Sequence, residues 1–339
     1  KSLPDVDVIP SENFNTVLYT GNGSTQSIAV GFQPDFTWIK SRSAAENNSL
    51  FDSVRGISEY LFSNSTSEEL LFNGNGLTSF DSDGFEVTGG SGYAVNTSSA
   101  TYAAWNWKAG GTAVSNTNGS ITSSVSANPS AGFSIVSYTG NGTSGATVGH
   151  GLSKKLEVII PKNRDSGSQY WKCFFEPIGA TKNLSLSEAA SASTDSSIWN
   201  NTAPSSTVFT VGNSGATNAN NNNIIAYCFH SVESYSLVGS YIGNGNADGP
   251  FVNCGFKPAM IIFKVSSASG TNWMLLDNKR DPFNDDTPLY LHPDTSDADN
   301  ANSGAPVDFV SNGFKVRTAS SIRNPNGGTV IFIAFAENP

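Results

Sequence analysis

Charge is scarce in this 339-residue chain: 14% of residues are Asp, Glu, Lys or Arg, where an ordinary soluble domain carries roughly 25%. The net charge is −10. With no basic stripe to neutralise phosphates, the sequence argues against nucleic acid as a partner, and an anionic membrane surface is an equally poor match. No apolar run approaches the roughly 20 residues of a membrane span, so no membrane insertion is expected. Histidine is confined to His150, His230 and His292, in unlike contexts and without HxH or HExxH spacing. A zinc centre needs such side chains to converge, and the spacing gives no reason to expect it. Cysteine is limited to Cys173, Cys228 and Cys254, with no CxxC pair. The three read as small buried apolar residues on strands, a single Cys173–Cys228 bond being the alternative. A GxSxG elbow with partners and a phosphate-cradling loop followed by a helix are also missing. The sequence begins at Lys1 with no secretory-leader pattern, which reads as a processed chain or part of a longer one.

Ser, Thr, Asn and Gly fill the space left by charge, and they recur in order. "YTGNG" stands at residues 19–23 and again at 138–142, and "YIGNG" at 241–245. Each phrase closes an alternating run: "FNTVLYTGNG", "FSIVSYTGNG", "YSLVGSYIGNG". Next come "VGFQPDFTWIK", "VGHGLSKKLEVIIPK" and "VNCGFKPAMIIFK", ending in Lys40, Lys162 and Lys264. A hydrophobic pair with a carboxylate follows, at Asp52, Glu176 and Asp277, then "SDGFEV", "STVFTV" and "SNGFKV". An aromatic strand closes each copy, with Trp107, Phe229 and Phe335 at the same place. Such order at a period near a hundred residues signals an internal repeat. The expected organisation is an N-terminal extended segment at 1–13 and modules at 14–111, 112–232 and 233–339.

The Asn-Gly of each phrase accepts positive φ, so the phrase reads as a turn that ends the first strand. Alternating runs such as "FSIVSY" predict half-buried strands, and near-continuous apolar runs such as "PAMIIFK" predict strands covered on both faces. Residues 119–128, "GSITSSVSAN", alternate and predict one more strand leading into the second module. No stretch keeps a helical period beyond a turn. The fold class expected is all-β: three tandem related β-sandwich modules, jelly-roll-like, each with seven or more strands.

Candidate chemistry is sparse. Asp52, Glu176 and Asp277 recur singly, whereas a glycosidase needs two carboxylates flanking one bond. Arg55 and Arg280 follow by three residues, so an ion pair or strand-end cap is the reading, with Lys40, Lys162 and Lys264 as further contacts. Asp294, Asp297 and Asp299 in "DTSDADNANSG" are a candidate Ca²⁺ set, though the spacing is not that of an EF-hand loop; a solvated acidic loop is the alternative. Trp38, Trp171, Trp199 and Trp273 could stack on sugars. Trp38 and Trp273 lie on predicted strands. Trp199, in "SSIWNNTAPSS", is the candidate ligand-binding aromatic. No catalytic residue and no other cofactor is assigned.

The wording of "FNTVLYTGNGSTQSIAVGFQPDFTWIK", "LFDSVRG", "SFDSDGFEV" and "YAAWNWKAGG" resembles repeat-bearing virion proteins of marine tailed phages, described as tail-fibre or other structural proteins. The resemblance is closest over about residues 11–180. It implies a place, the outside of a virion, and no reaction. The expected function is therefore a non-enzymatic virion surface protein, a tail-fibre or adhesion component for host attachment. Its expected partners are other virion proteins, further copies of itself (a trimer among the options) and a host surface glycan or protein. A capsid decoration or head-fibre protein, a glycan-degrading depolymerase and a cellular adhesin or surface-layer protein are the alternatives. The loops at 63–78, 187–206 and 292–306 vary among the copies and are the expected recognition elements.

Overall fold

The structure is a computed structural model that describes residues 8–71, 76–89, 95–284, 286–301 and 305–337. The stretch 1–13 falls mostly outside these residues; within it Pro10–Glu12 form a 3-10 turn rather than extended chain. Parts of the 63–78 and 292–306 loops also lie outside them. Helix is limited among the described residues to single turns, such as Ser196–Trp199 and Gly215–Asn218. Everything else regular is strand, in sandwich-like layers.

Three large sheets share one strand order. In the first, Phe14–Thr20 pairs with Thr101–Trp107, then come Phe36–Ser41, Ser49–Asp52 and Gly56–Phe62. In the second, Phe133–Thr139 pairs with Asn223–Phe229, followed by Val158–Asn163 and Lys172–Phe175. In the third, Ser236–Ile242 pairs with Thr329–Ala336, followed by Pro258–Val265 and Met274–Asp277. Each time the opening strand lies beside the closing one. A small sheet lies over each large one: Gln26–Ala29 with Gly84–Thr88, Ala146–Gly149 with Val208–Val211, and Phe251–Asn253 with Gly313–Val316. The strand foreseen in "GSITSSVSAN" is present as Ser123–Asn128, paired along the outer edge of Phe133–Thr139.

Side-chain alternation sends each large sheet into two cores. From Thr101–Trp107, Tyr102 and Ala104 enter the core beneath the small sheet, and Ala103, Trp105 and Trp107 point the other way. The closing strands Asn223–Phe229 and Thr329–Ala336 divide in the same manner. The second faces of all three large sheets meet in one shared core. This is why the strands are near-continuous apolar runs: both faces are covered. At the centre Trp107 lies 6.4 Å from Phe229 and 5.6 Å from Phe335, and Phe229 lies 5.9 Å from Phe335, ring centre to ring centre. A void of about 20 Å³ remains nearby, with Phe36, Trp38, Ile160, Tyr227, Ile262 and Ile333 in its wall. The cysteines are free and buried. Cys173 points into the shared core and Cys228 into the core beneath the small sheet, so the sheet separates them.

The repeated "GNG" phrase turns the chain in each case. Its last glycine has φ of 72°, 68° and 63° at Gly23, Gly142 and Gly245, which a residue with a Cβ adopts only at a cost. A buried asparagine far along the chain clamps the turn. Asn96 Oδ1 accepts from Asn22 N at 3.0 Å, Asn218 Oδ1 from Asn141 N at 2.8 Å, and Asn324 Oδ1 from Asn244 N at 2.7 Å. The tyrosine that opens the phrase donates to the carbonyl just before that asparagine: Tyr19 to Val95, Tyr138 to Thr217 and Tyr241 to Arg323, each at 2.6 Å.

Candidate functional site

The recurring carboxylates sit where a large-sheet strand ends and the chain turns. Asp52 Oδ1 accepts from the backbone N–H of Val54 at 3.0 Å and of Arg55 at 2.8 Å. Asp277 Oδ1 does the same for Lys279 at 3.1 Å and Arg280 at 2.9 Å. The tight turn brings the i+3 guanidinium back: Arg55 Nε reaches Asp52 Oδ2 at 2.5 Å and Arg280 Nε reaches Asp277 Oδ2 at 2.6 Å. Both pairs are wholly buried. Each arginine also donates to a carbonyl of the preceding strand, Leu50 at 2.9 Å and Leu275 at 3.0 Å.

The pairs then extend across the shared core. Tyr227 donates its hydroxyl to Asp52 Oδ2 at 2.8 Å, and Trp105 donates its indole N–H to Asp277 Oδ2 at 3.1 Å. Tyr227 and Trp105 stand two residues before Phe229 and Trp107, the same place on the closing strand. Arg55 continues to Glu69 at 3.1 Å, which meets Arg164 at 2.6 Å. Arg280 continues to Asp299 at 2.8 Å, which meets Arg42 at 2.6 Å. Two chains of alternating charge therefore join the first stretch to the second and the third to the first. Burial alone would lower the Arg55 pKa, but Asp52, Tyr227 and Glu69 drive it further up. Burial raises the Tyr227 pKa well above its ordinary value, so its hydroxyl stays a donor.

Among the described residues, the joint between the second and third stretches lacks this chemistry. Glu176 is half-exposed and pairs with Lys155 at 3.1 Å. Gly179 stands where an arginine would follow, Ile333 where Tyr227 and Trp105 stand, and Ala192 and Ser266 replace the outer acid and base. The backbone contact survives in all three joints: Glu69 N to Arg164 O at 2.8 Å, Asp299 N to Arg42 O at 2.9 Å, and Ala192 N to Ser266 O at 2.8 Å. The loss is concerted, as an unpaired buried donor or charge would be costly.

The lysines do not reach the carboxylates, contrary to the sequence reading. Each is buried, and its ammonium donates to backbone carbonyls, those of the strand end beside it and of nearby loops. Lys40 bonds Ser41 O at 2.8 Å and Ser296 O at 3.2 Å, and Lys162 bonds Asn163 O at 2.8 Å and Thr66 O at 3.1 Å. Lys264 bonds the Thr271 hydroxyl at 3.0 Å and also the Thr271 carbonyl. Burial lowers all three to about 8.

Parts of the expected recognition loops contact the neighbouring stretch. Thr66 meets Gly167, Ser191 meets Ser269, and Asn48 and Ser63 hold the carbonyls of Thr295 and Pro293. In each case a loop of one stretch straps the next.

Trp199 is 1% exposed, too deep for a sugar to stack on it. A single helical turn capped by Asp195 turns its ring inward, edge-on to Phe174 at 6.0 Å. Its polar neighbours in sequence gave no sign of this turn. Trp38, Trp171 and Trp273 are buried as well. The structure does not bring Asp294, Asp297 and Asp299 together. Asp299 is shared by Arg42 and Arg280, Asp297 accepts from Thr295 at 2.7 Å, and Asp294 accepts from Trp273 N at 3.1 Å. Burial lifts the Asp294 carboxyl to about 7. No three His, Cys, Asp or Glu side chains converge among the described residues. The clamping asparagines Asn96, Asn218 and Asn324 escaped the sequence reading. They carried a signal: each precedes the start of its closing strand by the same five residues.

The family described as Domain of unknown function (DUF7483) matches residues 9–339. No curated protein and no solved structure matches the chain.

Proposed function

The chain belongs to the DUF7483 family, and from there we propose a non-enzymatic virion surface protein, a tail-fibre or adhesion component for host attachment. It is built of three tandem related β-sandwich modules at 14–111, 112–232 and 233–339, closed around a common axis. The observation that carries the non-enzymatic part of the reading is the saturation of two of the three recurring carboxylates. Asp52 and Asp277 have both oxygens engaged by backbone, arginine and a ring donor of the neighbouring stretch. They act as clasps, with no lone pair free for acid–base work. The recurring strand order and the central Trp107, Phe229 and Phe335 support an internal threefold body. On this reading the threefold arrangement lies within one chain. Such a body is a rigid spacer or platform that multiplies weak contacts when arrayed on a particle.

A second reading, a capsid decoration or head-fibre protein, gains from the loops. A receptor-binding module would leave its variable loops free, whereas here at least one residue of each loop ties it to the next stretch. Immunogold labelling of intact particles separates the two. Gold at tail ends supports attachment, gold over the head supports decoration, and particles without label overturn both.

A further inference from the structure

The opening strands of the three large sheets are not treated alike. The outer edge of Phe133–Thr139 is paired along its length by Ser123–Asn128. The outer edge of Ser236–Ile242 is partly closed, since Val232 bridges Ser236 and the Ser231 hydroxyl accepts from Val238 N at 2.9 Å. The outer edge of Phe14–Thr20 has no partner strand among the described residues. Lys108 N donates to Asn13 O and Gly21 N to Ala100 O, so the odd-numbered residues face the closing strand. Thr16 and Leu18 therefore turn N–H and C=O outward, by the alternation of an antiparallel ladder. Such an edge is a template for another strand.

A groove of about 270 Å³ runs beside this edge, with Phe14, Asn15 and Thr16 on one wall and Ala259, Asn278 and Glu337 on the other. Two buried polar atoms in its lining, Thr16 Oγ1 and Asn278 Oδ1, have no hydrogen-bond partner among the described residues. Orphaned groups of this kind are uncommon and point to something missing. The corresponding place in the second stretch is full. There the Ser126 hydroxyl accepts from Gly110 N at 2.9 Å, and Asn128 donates to Lys108 O at 3.3 Å. Gly110 lies so close to Ala127 that a Cβ would collide with its backbone. Lys108 follows Trp107 as Ala336 follows Phe335, so the two places match.

We propose that the open edge of Phe14–Thr20 and the groove beside it receive one extended strand from a partner polypeptide. The partner strand is uncharged and alternates small hydroxyl residues with aliphatic ones, as "SSVSAN" does at the matching edge. Backbone pairing at Thr16 and Leu18 supplies affinity, and the alternation seats side chains in the groove. The orphaned Thr16 hydroxyl and Asn278 carbonyl give it two polar anchors. The inference is independent of the virion reading and survives if that fails.

The test uses the full chain and a synthetic peptide of residues 119–128, followed by amide hydrogen exchange and titration calorimetry. Peptide should slow exchange of the Thr16 and Leu18 amides by about tenfold or more. Leu18→Pro removes an outward N–H only and should abolish binding. Methylating the peptide amides of Ser124 and Ser126, which face the edge, should abolish it too, whereas methylation at Val125 should not. This second arm needs no altered protein. Unchanged exchange at millimolar peptide overturns the proposal, as does binding that survives both edge-blocking changes. Protection of Thr16 and Leu18 in the free chain, lost on deleting residues 1–7, would show an edge covered in cis and also overturn it.

Discussion

The Tyr227 hydroxyl lies 2.8 Å from Asp52 Oδ2, across 175 residues of chain. It meets the oxygen already held by Arg55. One contact thus joins a strand end of the first stretch to the closing strand of the second. Trp105 and Asp277 repeat it between the first and third.

Removing the carboxylate should be severe. Asp52→Ala leaves Arg55 buried without its counter-charge and should cost about 3–5 kcal/mol in urea titrations. Tyr227→Phe should cost less, about 1–3 kcal/mol, because Arg55 still satisfies Asp52. The double variant should fall short of the sum of the two. Strict additivity would mean that the hydroxyl and the carboxylate are not coupled.

The central aromatics should behave as one unit. Phe335→Ala should cost about 3–5 kcal/mol, as for a large buried ring. Combined with Trp107→Ala the loss should again be less than additive, since the rings are 5.6 Å apart. A loss under about 1 kcal/mol for Phe335→Ala would show that the three stretches do not share a core.

The asparagine clamp should matter as much as the turn it holds. Asn218 donates to Thr143 O at 2.9 Å and Gly212 O at 2.7 Å, and accepts from Asn141 N. Asn218→Ala should therefore cost about 1–3 kcal/mol. Gly140→Ala should be comparably harmful, because its Cβ would meet the Ala219 carbonyl. Thermal melts of both variants, matching wild type, would show the clamp to be incidental.

His150 should make stability depend on pH. It is fully buried, with Nδ1 accepting from Leu152 N at 3.3 Å and Nε2 donating to Ser205 O at 3.4 Å. Burial lowers it from 6.5 to about 4. The unfolded chain then binds the proton first on acidification. The contribution of His150 is fully present above about pH 6.5 and is lost as pH falls toward 4. Asp294, lifted to about 7, acts in the opposite direction over the same range. The comparison of interest is therefore His150→Gln against wild type: between pH 7 and 4.5 the variant should lose less stability. Parallel curves would place the acid sensitivity elsewhere.

The repeat itself was legible in sequence because it rests on local rules. Alternation, apolar runs and Asn-Gly turns act over a few residues, so they predicted strands, turns and the extra strand at Ser123–Asn128. The pairing of Asp52 with Arg55 was legible for the same reason, being three residues long. Trp199 was misread because a single capped helical turn, and no periodicity, turns its ring inward. Lys40 and Lys162 were misassigned because their partners are carbonyls of distant loops, which carry no side-chain signature.

Sequence by itself determined that this chain is all-β and repeats its strand and turn phrases in order. Tertiary structure decided that the second faces of the three large sheets meet in one core, which side chains cross it, and which strand edge has no partner strand among the described residues. The physical reason is range. Strand propensity and turn chemistry are properties of neighbouring residues, whereas the meeting of Trp107, Phe229 and Phe335 depends on how whole sheets bury their second faces.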